Sequence, residues 1–121
     1  MDKKELREYS ATCLKIIQVI VSLESESSTT KDFAQSMIKG DKSIQMIFEG
    51  KETVEQIKQE GYSQILSFLE FQRRSIKSNN VITNVELIML FRIIDELNKY
   101  GDIIPLDFRN KVMRSINTIF V

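Results

Sequence analysis

Residues 81–101, VITNVELIMLFRIIDELNKYG, constrain the fold of this chain more than any other stretch. Thr83 is a good helix N-cap, and Glu86 three residues later completes a capping box. Gly101 is placed to end the helix in a left-handed turn. At about 100° per residue, Leu87, Met89, Leu90, Phe91, Ile93, Ile94, Leu97 and Tyr100 cover roughly 200° of the circumference. A helix that is apolar over so wide an arc needs neighbours on several sides, so the 84–100 helix is expected at the centre of a bundle. Its thin polar stripe holds Asn84, Arg92, Asp95, Glu96 and Lys99. Within the stripe, Arg92 with Glu96 and Asp95 with Lys99 have the spacing of i,i+4 ion pairs.

The rest of the chain supplies those neighbours. Residues 3–23 carry Leu6, Tyr9, Cys13, Ile16, Ile17, Ile20 and Leu23 on one half of a helical wheel, with Asp2 and Glu5 as a capping box. Cys13 sits mid-arc and reads as a small buried residue rather than a reactive thiol. The polar run 24–30 reads as a loop. Thr29 or Thr30 then caps a short helix over about 31–39, stopped by Gly40. Asp41 caps a second short helix over about 42–49, stopped by Gly50.

Residues 51–78 keep Val54, Ile57, Gly61, Ile65, Phe68, Leu69 and Ile76 on one stripe, so a single helix passes straight through Gly61. Glycine costs about 1 kcal/mol there relative to alanine, which implies a close approach of another helix. After Gly101, residues 102–105 read as an extended connector, because the residue before Pro105 avoids helical geometry. A last helix runs from Pro105 to about 120, its arc formed by Leu106, Phe108, Val112, Met113, Ile116, Ile119 and Phe120. Arg109 falls inside that arc, either with its stem along the core edge or as partner to an acidic group. The expected fold is all-α: one compact domain over 1–121, four long helices plus a short helical hairpin.

Composition narrows the function. Seventeen basic and seventeen acidic residues balance, so no global field draws the chain to nucleic acid or an anionic membrane. A single cysteine and no histidine remove multi-cysteine metal sites, the commonest metal ligand and the commonest general base. Adjacent Asp95 and Glu96 point about 100° apart on a helix and do not converge as an acid–base pair. No phosphate loop or nucleophile elbow is present. Neither a catalytic site, a metal nor a cofactor is expected. The charged N-terminus leads into helix rather than a cleavage site, and the run 14–23 is too short to span a bilayer, so a cytoplasmic setting is expected.

By elimination the chain is expected to act by binding another protein, as an adaptor, inhibitor or immunity-type protein. The contact residues expected are Phe71, Arg73, Arg74 and Lys77 at the end of the long helix, Met46 and Phe48 on the hairpin, and Arg109. A homodimer is a further option, since Phe48, Leu66 and Phe71 lie at the edges of their apolar arcs.

One local pattern points elsewhere. In TTKDFAQSMIKGDKSIQMIFEGK (29–51), Thr29 holds a capping position, Phe33-Ala34-Gln35 open a first helix, and Ile44 and Ile47 hold inward positions of a second. This segment, about a fifth of the chain, resembles the helix-turn-helix of phage-repressor-type regulators. It departs from that pattern where the usual turn glycine is Ile38 and Gly40 comes two residues late. The resemblance implies a DNA-binding regulator with Lys42, Ser43, Gln45 and Met46 facing the major groove and Lys39 and Lys51 on phosphates.

Overall fold

A computed structural model describes residues 3–25 and 28–119. These form six helices: α1 (Lys3–Glu24), α2 (Ser28–Gly40), α3 (Lys42–Ile47), α4 (Val54–Asn79), α5 (Asn84–Lys99) and α6 (Leu106–Ile119). No strand occurs among the described residues. The chain is an all-α helical bundle, with α1, α4, α5 and α6 as its long members and α2–α3 as the hairpin. The expected Asp2 cap and the Phe120 core position lie outside the described residues.

The hub of the bundle is α1, and not the 84–100 helix. α1 packs on α2, α3, α4 and α5, whereas α5 packs extensively on α1 alone. The reason is visible in the register of α1. Leu6, Cys13, Ile17 and Ile20 form one buried stripe, and Ile16, Val19 and Leu23 form a second beside it. Two adjacent buried stripes give one helix enough apolar surface for several neighbours. Val19 is fully buried, although it lies at the edge of the wheel arc expected from the pattern.

α4 is continuous through Gly61, as its phase requires. A Cβ on Gly61 would lie 2.7 Å from Ile20 Cδ1 and 2.8 Å from Ile20 Cγ1, so the missing side chain is what lets α1 close on α4. The helix begins at Val54 rather than 51, because Thr53 and Gln56 form a capping box: Gln56 N–H donates to Thr53 Oγ1 at 3.1 Å, and Thr53 N–H donates to Gln56 Oε1 at 3.0 Å. Gly50, at φ +78°, makes the turn ahead of it. Asn80 ends α4 in the left-handed region at φ 54°, which asparagine tolerates.

α2 starts one turn earlier than the polar run suggested, at Ser28. α3 ends at Ile47, two residues short of the expected end. Its cap is Asp41, whose Oδ1 accepts from the Ser43 and Ile44 N–H groups at 3.0 and 3.3 Å. Asp41 Oδ2 accepts from Lys15 Nζ, which fastens the hairpin to α1.

The Thr83–Glu86 capping box of α5 forms as expected. Its C-terminus differs: Tyr100 closes the helix, and Gly101 does not take a left-handed conformation. Gly101 instead makes room for Arg109, since a Cβ there would meet Arg109 Cζ and Nη1 at 3.3 Å. Residues 101–104 form a turn rather than an extended connector, with the Ile103 and Ile104 N–H groups donating to Tyr100 O. That turn buries Ile104 and delivers Pro105 to the start of α6.

Candidate protein-binding surface

The outward side of α4 follows from the inward one. With Gly61, Ile65, Phe68, Leu69, Gln72 and Ile76 buried, helical phase turns Ser63, Ser67, Glu70, Phe71 and Arg74 away from the core. These residues, with Leu66 and with Tyr9 from α1, line a shallow groove of about 540 Å³. The Tyr9 ring stacks on buried Phe68 at 4.8 Å and 17°, and lies 6.3 Å from Phe71. Phe71 remains 44% exposed. Two aromatic rings are therefore held on rigid helices with open faces. Burial raises the Tyr9 hydroxyl above its ordinary range, with the Cys13 thiol adding to the effect.

Glu70 organises the charges at one end of this groove. Arg73 donates to it twice, at 2.6 and 2.9 Å, and Arg74 Nε donates at 3.1 Å. The Arg73 bonds, with Arg74 adding to them, hold the Glu70 carboxyl down at about 2. One carboxylate faces two guanidiniums, and Arg74 keeps most of its side chain, 77%, in solvent. Lys77 is exposed one turn further on.

Arg109 does not join this cluster. It lies at the α5–α6 cleft, half-buried, and its Nη1 donates to Gly101 O at 3.4 Å. No carboxylate pairs with it among the described residues, so its role is to hold the turn after α5. Lys111 lines a second groove with Gln59, Tyr62, Ser63, Leu66 and Phe108, beside the N-terminal half of α4. The two grooves share Ser63 and Leu66 and run on from one another.

On the hairpin, Met46 is 74% exposed, whereas Phe48 is a core residue with no surface to offer a partner. Lys39, Lys42, Ser43, Gln45 and Lys51 are exposed as the helix-turn-helix pattern implies, and Ile44 is buried beneath them. Ser43 Oγ, however, is engaged by Asp41 Oδ1 at 2.5 Å, and α3 has only six residues.

Two features escaped the sequence reading. One is a polar clamp joining three helices. Glu24 Oε1 accepts from Tyr62 OH at 2.6 Å and pairs with Lys58 Nζ at 3.3 Å, while the Tyr62 ring packs on Phe108 with centroids 4.5 Å apart. Burial, reinforced by Glu24, pushes the Tyr62 hydroxyl far above its ordinary range. These residues are spread over three elements, and no local pattern announces them.

The other is the outer face of α5, where Ile88 and Phe91 stand in solvent. The expected Arg92–Glu96 and Asp95–Lys99 pairs do not form: Lys99 Nζ lies over the Tyr100 ring at 5.3 Å, and Glu96 Oε2 is enclosed without a partner. A signal for the open face was present, since an arc of about 200° exceeds what one neighbouring helix covers.

No helix of the described residues is long and apolar enough to cross a membrane. Comparison with family models, with curated proteins and with solved structures gives no match to this chain.

Proposed function

We propose that this chain is a non-enzymatic protein-binding module, an adaptor, inhibitor or immunity-type protein working in the cytoplasm, and that its partner docks on the Tyr9–Phe71 groove. The observation that carries this reading is the exposed pair Tyr9 and Phe71 beside Arg74, whose side chain is mostly in solvent. Aromatic residues and arginine dominate binding energy at protein interfaces, because each combines a large rigid contact area with directional polar groups. Phe68 under Tyr9 fixes that ring in place, so little side-chain freedom is lost on docking. The surplus of Arg73 and Arg74 over Glu70 favours a partner with acidic residues at its rim.

The test is affinity capture followed by titration with the captured protein. Phe71→Ala and Arg74→Glu should each weaken saturable binding by about tenfold or more without changing the circular dichroism. Unchanged capture by both variants would remove the reading.

A second reading, a helix-turn-helix regulator acting through Lys39, Lys42, Ser43, Gln45, Met46 and Lys51, draws on the joint exposure of these residues on the hairpin. It requires a duplex complex at low salt that weakens steeply as salt rises. No shift at low salt ends it.

A further inference from the structure

The outer face of α5 lacks an extensive neighbour among the described residues. Ile88 and Phe91 are 53% and 55% exposed, one helical turn apart, on a helix whose extensive packing is with α1 alone. Beside them Ile94 carries the apolar surface into the α5–α6 cleft, which Met113 lines from the other side. Singly exposed apolar residues are ordinary, but a contiguous apolar strip marks an interaction surface. Two charges border the strip. Arg92 and Asp95 are exposed, and neither makes an ion pair or hydrogen bond with any described residue. Their order, a cation three residues ahead of an anion, is poor for pairing within one helix.

We propose that a second copy of this chain covers this face, with α5 lying antiparallel on α5 about a two-fold axis level with the Ile93–Ile94 peptide. An isologous contact must be self-complementary, and this face is so in charge. In an antiparallel pair centred there, positions summing to 187 stand level, and 92 plus 95 gives that sum. Each Arg92 then meets Asp95 of the second copy, and the contact is made twice. The same register sets Ile88 beside the aliphatic stem of Lys99 from the other copy, and the two Phe91 positions about 7.5 Å apart along the helix axis. A partner of one predominant charge would leave Arg92 or Asp95 facing a like charge, whereas a second copy satisfies both. The chain carries no net charge, so two copies approach without mutual repulsion. This interface uses none of the residues of the Tyr9–Phe71 groove, and its test is independent of that reading.

Sedimentation velocity over a concentration series reads the association directly. The full chain should show a reversible monomer–dimer equilibrium. Phe91→Asp should weaken it about thirtyfold or more. Arg92→Asp and Asp95→Arg should each weaken it by up to about tenfold, and the double variant should recover wild-type association, because the exchanged charges again face each other. Phe71→Ala should leave the dimer unchanged. Circular dichroism and thermal unfolding of each variant, read at concentrations where the chain is monomeric, keep effects on folding apart from effects on association. A wild-type chain that stays monomeric, a dimer indifferent to Phe91→Asp, a dimer broken by Phe71→Ala, or a double variant that does not recover overturns the proposal.

Discussion

Gly61 and Cys13 are the residues whose roles come closest to what their positions in the sequence imply. Burial pushes the Cys13 thiol up to about 12, so the nucleophilic thiolate is absent at physiological pH and the residue acts as core. Gly61 sets two opposing terms against each other. Alanine would gain about 1 kcal/mol of helix propensity. Its methyl group would also drive into Ile20, which is itself fully buried, so Ile20 or the helices around it must shift. Overpacking of that kind costs about 1–3 kcal/mol, so the steric term wins. Gly61→Ala should lower unfolding stability by about 1 kcal/mol in urea titrations, and Gly61→Leu by considerably more. A more stable alanine variant would mean that α1 does not close on α4 at this point. Arg109 teaches the converse. A wheel marks it as misplaced, but its partner is the carbonyl of Gly101, and backbone acceptors have no sequence signature.

At the scale of elements, helix starts were legible where a cap and its reciprocal partner both lie within four residues. Thr83 was read in this way, Thr53 with Gln56 follows the same rule, and Asp41 was legible as a cap from its place after Gly40 alone. Asp41 does more than cap, since it also ties α3 to α1 through Lys15. Its carboxyl is held well below the ordinary range, first by the Lys15 hydrogen bond and then by those of Ser43 and Ile44. Glu70 is held down likewise by Arg73. A carboxyl whose folded value lies below its unfolded one contributes stability that is present above the unfolded value, about 4 to 4.5 for these groups, and is lost as pH falls through the folded value. The chain should therefore hold its stability from neutral pH to about 4.5 and lose it progressively from about 4 down to 2. Asp41→Asn and Glu70→Gln should flatten that loss, as followed by urea unfolding at stepped pH. Ion pairs within an element were less legible than caps. Arg92–Glu96 and Asp95–Lys99 have the right spacing but do not close: Asp95 and Lys99 are exposed, where a pair gains little over solvent, and Glu96 Oε2 is turned into an enclosed position away from Arg92.

For the whole molecule, α1 and α5 exchange the parts their sequences suggest. α5 has the wider apolar arc, but α1 has the neighbours. Ile17→Ala, in the fully buried part of α1, should cost about 2–5 kcal/mol. Phe91→Ala, on the open side of α5, should cost under about 0.5 kcal/mol when measured on the monomer. Comparable losses from the two in denaturant titrations would restore α5 to the centre.

The sequence by itself determined the all-α class, the continuity of α4 through Gly61, the capping of α3 and α5, and the buried state of Cys13. Each is set by interactions within a few residues along the chain or by a periodicity of 3.6, and both are written locally. Of the expected contact residues, Met46, Phe71 and Arg74 are accessible and Phe48 is not, because an arc-edge position is buried or bare according to which helix lies against it. Only the tertiary structure decided that α1 is the hub, that Tyr9 joins Phe71 in a groove, and that α5 presents Ile88 and Phe91 to solvent. A wheel reports how much apolar surface a helix has. Whether that surface meets the rest of the same chain or is left for another molecule depends on helix packing between residues distant in sequence.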